Sequence, residues 1–190
     1  SKVISAATMG VDAYAVEVES DIQQQLPAFV TVGLPDGAVR ESKERVTAAI
    51  KNSDFVFPAK RVTINLAPAD IKKEGSAFDL PIAVGILAAT GQVLRDRFDD
   101  YVMLGELSLD GALRPVPGVL PMAMRFTKDN GIKGIIVPGQ NAKEAAMAGA
   151  LPVFPVVSLQ EAIHFLEDES TIRPYQIDIS ASPEKIRLRN

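Results

Sequence analysis

The sequence predicts a mixed fold of the α/β or α+β class, in which sheet and helices pack together, and three patterns carry this prediction. Tyr14–Glu19 alternates between apolar and polar residues with a period of two, which is typical of a strand with one wet face. Leu80–Ala89 is apolar on nearly every side, as expected of a helix buried on all faces. Between Ile135 and Leu166, short apolar runs alternate with helical patterns, which predicts parallel strands with right-handed crossovers.

Before the buried helix, the sequence predicts four strands and one further helix. The helix over Gly37–Asn52 has apolar residues on one face. Its charged residues include the i,i+4 pairs Arg40 with Glu44 and Glu41 with Arg45, so we expect this charge run to lie on a solvated face. The predicted strands are Val3–Thr8, Ala13–Glu19, Phe29–Gly33 and Arg61–Leu66.

After the buried helix, the sequence predicts a hairpin and then the strand–helix alternation. A strand over Met103–Leu109 is followed by Asp110-Gly111, which favours a tight turn into Ala112–Arg114. A helix is predicted over Val119–Asn130 and ended by Gly131. The remaining predicted elements are a strand at Ile135–Val137, a helix at Ala142–Ala148, a strand at Val153–Val157 and a helix at Leu159–Leu166.

Length and composition favour one folded domain followed by a tail. The chain has 190 residues, of which 47% are apolar and 23% charged, as in an ordinary globular protein. Residues 1–167 carry the helix and strand patterns, whereas residues 168–190 have scattered proline and charge with weak periodicity. We therefore predict a domain over residues 1–167 and an extended, partly disordered linker over residues 168–190.

Several function classes are disfavoured by what the sequence lacks. Without cysteine there are no disulfides or thiolate metal sites, and the composition fits a reducing compartment, so we expect a cytoplasmic protein. A single histidine argues against a multi-histidine metal centre and against a Ser-His-Asp triad. No apolar run approaches the ~20 residues of a membrane span, so we expect no membrane partner. The formal net charge of −4 argues against strong, unaided nucleic-acid binding.

The candidate site is the stretch that leads into the buried helix. Lys72–Ala77, which we call the central loop, is polar and contains a glycine. Asp79 is a predicted N-cap of the helix, and Pro81 lies where a missing N–H group costs nothing. Unpaired amides and the positive end of the helix dipole gather at such a position, as anion sites and oxyanion holes require.

A series of spaced motifs carries a family resemblance. In chain order they are Val32-Gly33-Leu34-Pro35-Asp36, Glu41-Ser42 with Arg45-Val46, Ile64–Asp70, Lys73-Glu74-Gly75 with Phe78–Ala83, Leu104–Leu107 and Gly111–Arg114. Over about residues 3–167, the sequence resembles the N-terminal domain of the magnesium-chelatase-like AAA+ ATPases, bacterial proteins of the ComM (competence protein) type. The resemblance implies a fold like ribosomal protein S5 domain 2, shared with the proteolytic domain of Lon and the C-terminal domain of RadA-type repair proteins.

The resemblance also implies a role. In this family the domain precedes an AAA+ ATPase module, and this sequence has no Gly-x-x-x-x-Gly-Lys-Ser/Thr phosphate loop. The implied role is that of a non-catalytic module that supports subunit assembly and DNA contact of an ATP-driven motor, which moves branched DNA during natural transformation. The implied partners are the AAA+ module of the same chain, the neighbouring subunits of a hexameric ring, and branched or single-stranded DNA. ATP and Mg²⁺ are expected only in the AAA+ module.

A diverged Lon-like serine peptidase that uses Ser76 is the alternative. Such an enzyme needs a serine at the helix start and a lysine of depressed pKa to accept its proton. When the core helix of Lon is matched to this one by its apolar pattern, the nucleophile position falls on Ala77 and the lysine position on Leu120. No lysine occurs between Lys73 and Lys128. We therefore expect a degenerate dyad without peptidase activity.

Two further sites can be proposed around the central loop. An anion or DNA contact is predicted from Lys72, Lys73, Gly75, Ser76 and Arg114, and the competing interpretation is a solvated lysine pair beside a glycine turn. The nearby strand adds the cations Lys60 and Arg61. Four carboxylates near the central loop raise the question of a divalent cation site: Asp70, Glu74, Asp79 and Glu106. We do not expect such a site, because Asp79 already has the predicted capping role.

Overall fold

The computed structural model describes residues 1–127 and 131–178. A seven-stranded sheet forms its centre, and helices pack on both faces. No helix in these two ranges is long and apolar enough to cross a membrane. The strands are β1 (Lys2–Met9), β2 (Asp12–Gln23), β3 (Ala28–Val32), β4 (Arg61–Ala67), β5 (Tyr101–Met103), β6 (Glu106–Leu107), β7 (Leu113–Arg114), β8 (Gly134–Pro138) and β9 (Val153–Val156). The helices are α1 (Gly37–Asn52), α2 (Asp79–Ala89), α3 (Val119–Met124), α4 (Ala142–Met147) and α5 (Leu159–Glu167).

The strand order in the main sheet is β3-β4-β2-β1-β5-β8-β9, and the sheet is mixed. The β1–β2 and β2–β4 pairs are antiparallel, with Val3 opposite Val18 in the first of them. The β3–β4, β1–β5, β5–β8 and β8–β9 pairs are parallel. A separate hairpin joins β6 to β7. The mixed fold, the hairpin and the parallel crossovers predicted from the sequence are therefore confirmed.

The two faces of the sheet carry separate apolar cores. Helices α1, α2 and α5 pack on one face, and α3 and α4 pack on the other. Strand β8 contributes to both, because Ile136 lies in the first core while Ile135 and Val137 lie in the second. Every residue of α2 from Asp79 to Leu87 is buried, which confirms the prediction of a helix buried on all faces.

Three helix starts show how local bonding differs along the chain. Asp36 caps α1 by accepting a hydrogen bond from the Val39 amide at 2.8 Å, and Ser158 caps α5. Helix α2 begins at Asp79 itself, after Phe78, and no side chain caps it. The predicted N-cap role of Asp79 is therefore wrong, and its carboxylate has other partners.

Two predicted elements are shorter in the structure. The predicted Met103–Leu109 strand is divided between β5 and β6, because the Gly105 amide leaves the sheet and donates to Ala77 O at 3.0 Å. Helix α3 ends at Met124. The amides of Arg125 and Phe126 each donate to the carbonyl three residues earlier, which tightens the last turn. Residues 128–130 of the predicted helix lie outside the described ranges.

The first part of the predicted linker lies against the domain. Glu169–Thr171 form a 3₁₀ turn, and the Tyr175 amide donates to Val153 O at 2.7 Å. The Arg95 guanidinium lies 3.1 Å from the Glu169 carboxylate. Residues 179–190 of the predicted linker lie outside the described part of the chain, and the predicted domain boundary at residue 167 stays a prediction.

Candidate functional site

The central loop is fastened to the segment that precedes α1. The Lys73 amide donates to Leu34 O and the Asp36 amide donates to Lys73 O, both at 2.9 Å. Leu34 has a left-handed φ of 57°. Before it, Gly33 leaves no space for a side chain, because a Cβ there would lie 2.1 Å from Leu66 O. The Gly-Leu-Pro-Asp motif therefore serves as the backbone partner of the central loop.

Lys73 is turned into the protein. It is fully buried, and its Nζ donates to the carbonyl oxygen of Pro68. Burial lowers the pKa of the Lys73 ammonium, and the nearby Asp70 carboxylate acts in the opposite direction. The interpretation of two solvated lysines is therefore wrong for Lys73, and the predicted contact of Lys73 with an anion stays a prediction that would need this side chain to turn outward.

The other predicted anion contacts each have a carboxylate close by. Exposed Lys72 lies 3.4 Å from Glu74, and the Gly75 amide lies 3.4 Å from a carboxylate oxygen of Asp36. Arg114 is exposed on β7, opposite Glu106 in the β6–β7 hairpin. Anion binding by these residues and by Ser76 stays a prediction, and the neighbouring carboxylates would repel an anion there.

Ser76 has a carboxylate as its hydrogen-bond partner. Its Oγ donates to Glu106 Oε2 at 2.6 Å. The next residue is Ala77, whose carbonyl accepts from Gly105, and Leu120 lies on α3 with its amide bonded to Glu144 at 3.0 Å. Neither Ala77 nor Leu120 carries a nucleophile or a base. The peptidase-like positions thus lack the serine–lysine chemistry that a Lon-type reaction requires.

The first turn of α2 has no amide left for an oxyanion. The Asp79 amide donates to Ser76 O at 3.3 Å, and the Leu80 amide donates to Gly105 O at 3.0 Å. Pro81 has no N–H group, and the Ile82 amide already bonds to the carbonyl of Phe78. Within the helix itself, the amides of the first turn are therefore occupied, because the β5–β6 connection supplies an acceptor for Leu80. The expectation of an anion site at the amides of Gly75 to Ala77, which precede the helix, stays a prediction.

The Asp79 carboxylate instead ties α2 to α1 and to β6. Arg45 donates to it through Nε at 2.6 Å and through Nη2 at 3.1 Å. Ser42 Oγ donates at 2.5 Å, and the Leu107 amide donates at 3.0 Å. Asp79 is fully buried, while the Arg45 side chain keeps 20% of its exposure. These four donors join three elements through one side chain.

Burial and pairing act against each other at Asp79. The pKa of the Asp79 carboxyl is raised, because burial outweighs the hydrogen bonds from Arg45, Ser42 and Leu107 that lower it. The pKa of Arg45 is raised, chiefly by its hydrogen bond to Asp79. Because an arginine in a protein does not lose its proton, the four donors hold Asp79 as a carboxylate in an ion pair.

This cluster was missed from the sequence, although a signal for it was present. The sequence predicts Arg45 on a solvated face of α1, and its predicted pair with Glu41 does occur, at 3.8 Å. Ser42, however, falls in phase with the buried residues Val39 and Val46. A hydroxyl and a guanidinium on the apolar side of a helix need a buried polar partner, and the spacing alone does not say which one.

A cleft of about 330 Å³ runs beside the central loop, lined by β1, α3 and the loop itself. Its charged lining residues are Asp36 and Glu74, so it is acidic. Three of the four carboxylates that suggested a cation have partners of their own: Glu74 lies beside Lys72, Glu106 is bonded to Ser76 and Asp79 is bonded to Arg45. Among the described residues, no group of three or more histidine, cysteine, aspartate or glutamate side chains could hold a metal ion.

Comparison with known proteins gives the class to which this fold and site belong. Residues 18–141 match the family model described as subunit ChlI of Mg-chelatase, so the chain belongs to that family. It is similar to the protein YifB of Salmonella typhimurium, with 40% identity over 185 residues, which cover 97% of this chain and 36% of YifB. It is also 40% identical over 170 residues to the competence protein ComM of Haemophilus influenzae, covering 90% of this chain and 33% of ComM.

A more distant relative agrees with the fold. Lon protease 2 of Bacillus subtilis is 26% identical over 137 residues, which cover 70% of this chain and 23% of that protease. The Lon-like fold and the family predicted from the spaced motifs are therefore confirmed. The chain spans about a third of the length of YifB and ComM.

Proposed function

We propose that this domain is a non-catalytic N-terminal module of a magnesium-chelatase-like AAA+ ATPase in the cytoplasm. In this proposal it supports subunit assembly and DNA contact of an ATP-driven motor that moves branched DNA during natural transformation. The observation that carries the non-catalytic role is the absence of a serine–lysine pair, because Ala77 and Leu120 occupy the two Lon-like positions and the Ser76 hydroxyl donates to Glu106. The similarity to a competence protein supports the biological setting.

The binding of ATP and Mg²⁺ is assigned to the AAA+ module of the same chain. These 190 residues contain no Gly-x-x-x-x-Gly-Lys-Ser/Thr motif, so they lack the phosphate-binding loop of such an ATPase. The interactions proposed for this domain are with that module, with neighbouring subunits of a hexameric ring and with branched or single-stranded DNA. Because the formal net charge is −4, the isolated domain should bind DNA weakly, in the ~10⁻⁴–10⁻⁶ M non-specific range. A ring would strengthen such contacts through effective concentration.

The alternative, a peptidase that uses Ser76, can be tested directly. The 190-residue chain is treated with a fluorescent fluorophosphonate, which labels activated serines. We expect no labelling above the heat-denatured sample, because the Ser76 hydroxyl donates to Glu106 and has no lysine partner. Ser108→Ala is the matched control, since the Ser108 hydroxyl also donates to a carboxylate, that of Asp110, at 2.6 Å. Labelling that disappears in Ser76→Ala and persists in Ser108→Ala would contradict the non-catalytic role.

A further inference from the structure

A groove with a volume of about 480 Å³ lies between α1 and the edge of the sheet, away from the central loop. Strand β3 is the edge strand, because in the described part of the chain it pairs only with β4. One wall is the face of α1 that carries Lys43, Thr47 and Lys51, and the other is formed by Phe29 and by Phe57 to Lys60. A helix, an edge strand and a loop therefore line one open groove.

The groove is positively charged. It is lined by Lys43, Lys51 and Lys60, against one carboxylate, that of Glu44. None of the three lysines forms an ion pair with a residue that the structure describes. Elsewhere in the described residues six cations are paired with carboxylates, as Lys72 is with Glu74. In a chain of net charge −4, this is a local site of attraction for an anion.

The floor of the groove is aromatic. The rings of Phe29 and Phe57 are stacked, with centroids 6.0 Å apart and an interplanar angle of 11°. Both side chains are only half-buried, so apolar ring surface lies beside the lysines. A cationic groove with aromatic surface is the combination by which proteins bind single-stranded nucleic acid, since the bases stack on the rings and the phosphates meet the cations.

We propose that this groove binds a segment of single-stranded nucleic acid. Lys43 and Lys51 are two helical turns apart, about 12 Å along α1, which matches about three phosphates of a stacked strand. Lys60 lies on the opposite wall and contacts the same backbone from the other side. The Phe29–Phe57 pair selects a single strand over a duplex, because a duplex keeps its base faces stacked internally. This inference rests on the proposed DNA contact and moves its location from the central loop to the α1–β3 groove.

The test is a fluorescence-anisotropy titration of the 190-residue chain with a labelled oligothymidylate of about 16 nucleotides. The groove variant combines Lys43→Glu, Lys51→Glu and Lys60→Glu. The control variant makes an equal change of charge at exposed cations elsewhere, by Arg125→Glu, Lys143→Glu and Arg173→Glu. Circular dichroism and thermal melting confirm that each variant is folded, and a Lys43→Glu, Lys51→Glu variant serves if the groove variant is not.

We expect the groove variant to bind at least about tenfold more weakly, and the control variant to stay within about threefold of the parent chain. Three phosphate contacts at ~0.7 each predict a slope of about −2 in log affinity against log salt, which falls toward zero in the groove variant. Phe57→Leu should weaken oligothymidylate binding about fivefold without changing the binding of an abasic strand of equal length.

Other results would overturn the inference in distinguishable ways. Equal losses in the groove and control variants would mean that net charge alone governs binding. Binding that survives in the groove variant but falls in Lys72→Glu with Arg114→Glu would return the DNA contact to the central loop and leave the proposed function standing. Tighter binding of a poly-glutamate peptide than of oligothymidylate would assign the groove to an acidic protein. No binding of single-stranded or duplex DNA at low salt would remove the DNA contact from both proposals.

Discussion

Replacing Arg45 with methionine is expected to destabilise the domain by about 3 kcal/mol. The change keeps an apolar stem but removes the guanidinium that donates to Asp79 at 2.6 and 3.1 Å. The buried carboxylate is then left with Ser42 and the Leu107 amide as donors. Breaking a buried ion pair by removing one partner costs ~3–5 kcal/mol, and the 20% exposure of Arg45 places this case at the lower end.

Urea unfolding followed by circular dichroism measures this loss. With an m value of about 2 kcal/mol/M, the midpoint should fall by about 1.5 M. Arg40→Met is the matched control, because Arg40 is exposed on the same helix, and we expect it to change stability by no more than ~0.5 kcal/mol. Asp79→Asn should cost much less in the Arg45→Met background than in the parent chain. If Arg45→Met moves the midpoint no further than Arg40→Met does, the ion pair does not hold α1 to α2.

Three further changes test other parts of the fold. Gly33→Ala should lower the free energy of unfolding by about 3 kcal/mol or more, because a Cβ there meets a β4 carbonyl oxygen and φ is +107°. Gly37 lies in open space, so Gly37→Ala should be neutral or stabilising in the same urea assay. Burial holds the pKa of Lys73 below its ordinary value of 10.5. At a pH between the folded and unfolded pKa values, the unfolded chain binds more protons, so the free energy of unfolding rises with pH. Lys73→Met should lose this rise when urea midpoints are measured across that pH window. Arg95→Met removes the guanidinium that donates to Leu166 O in α5 and to Glu169 after it, so amide hydrogen exchange over residues 168–178 should become faster. Unchanged exchange would mean that other contacts hold this segment.

The elements of the fold could be predicted because each of them has a local pattern. The alternation over Tyr14–Glu19 falls within β2, and the continuous apolar run of Leu80–Ala89 falls within α2. The end of α3 could not be predicted as well, because it depends on how the last turn tightens after Met124. Periodicity indicates that a helix exists but is a weak guide to the residue where it ends.

The polar contacts of the site were predicted poorly because they join distant parts of the chain. The N-cap prediction for Asp79 considered only the amides that follow it, whereas Ser42 and Arg45 come from the preceding helix. Lys72 and Lys73 are adjacent and chemically alike, yet one is exposed and the other buried. Backbone pairing with Leu34 sets that difference, and no property of the lysines themselves reveals it.

The hydrogen bonds at the first turn of α2 fit the non-catalytic role proposed above. A hydrolase must leave amides unpaired at the point where negative charge develops, which costs stability until substrate arrives. Here the Leu80 amide bonds to Gly105, and the carboxylate of Asp79 binds Arg45. The same position therefore joins α1, α2 and the β5–β6 connection. In the role proposed above, such joined elements would suit a module that transmits contacts between DNA, neighbouring subunits and a motor. Its recognition surfaces are then expected at the periphery, where Lys43 and Lys51 form no ion pair with a described residue.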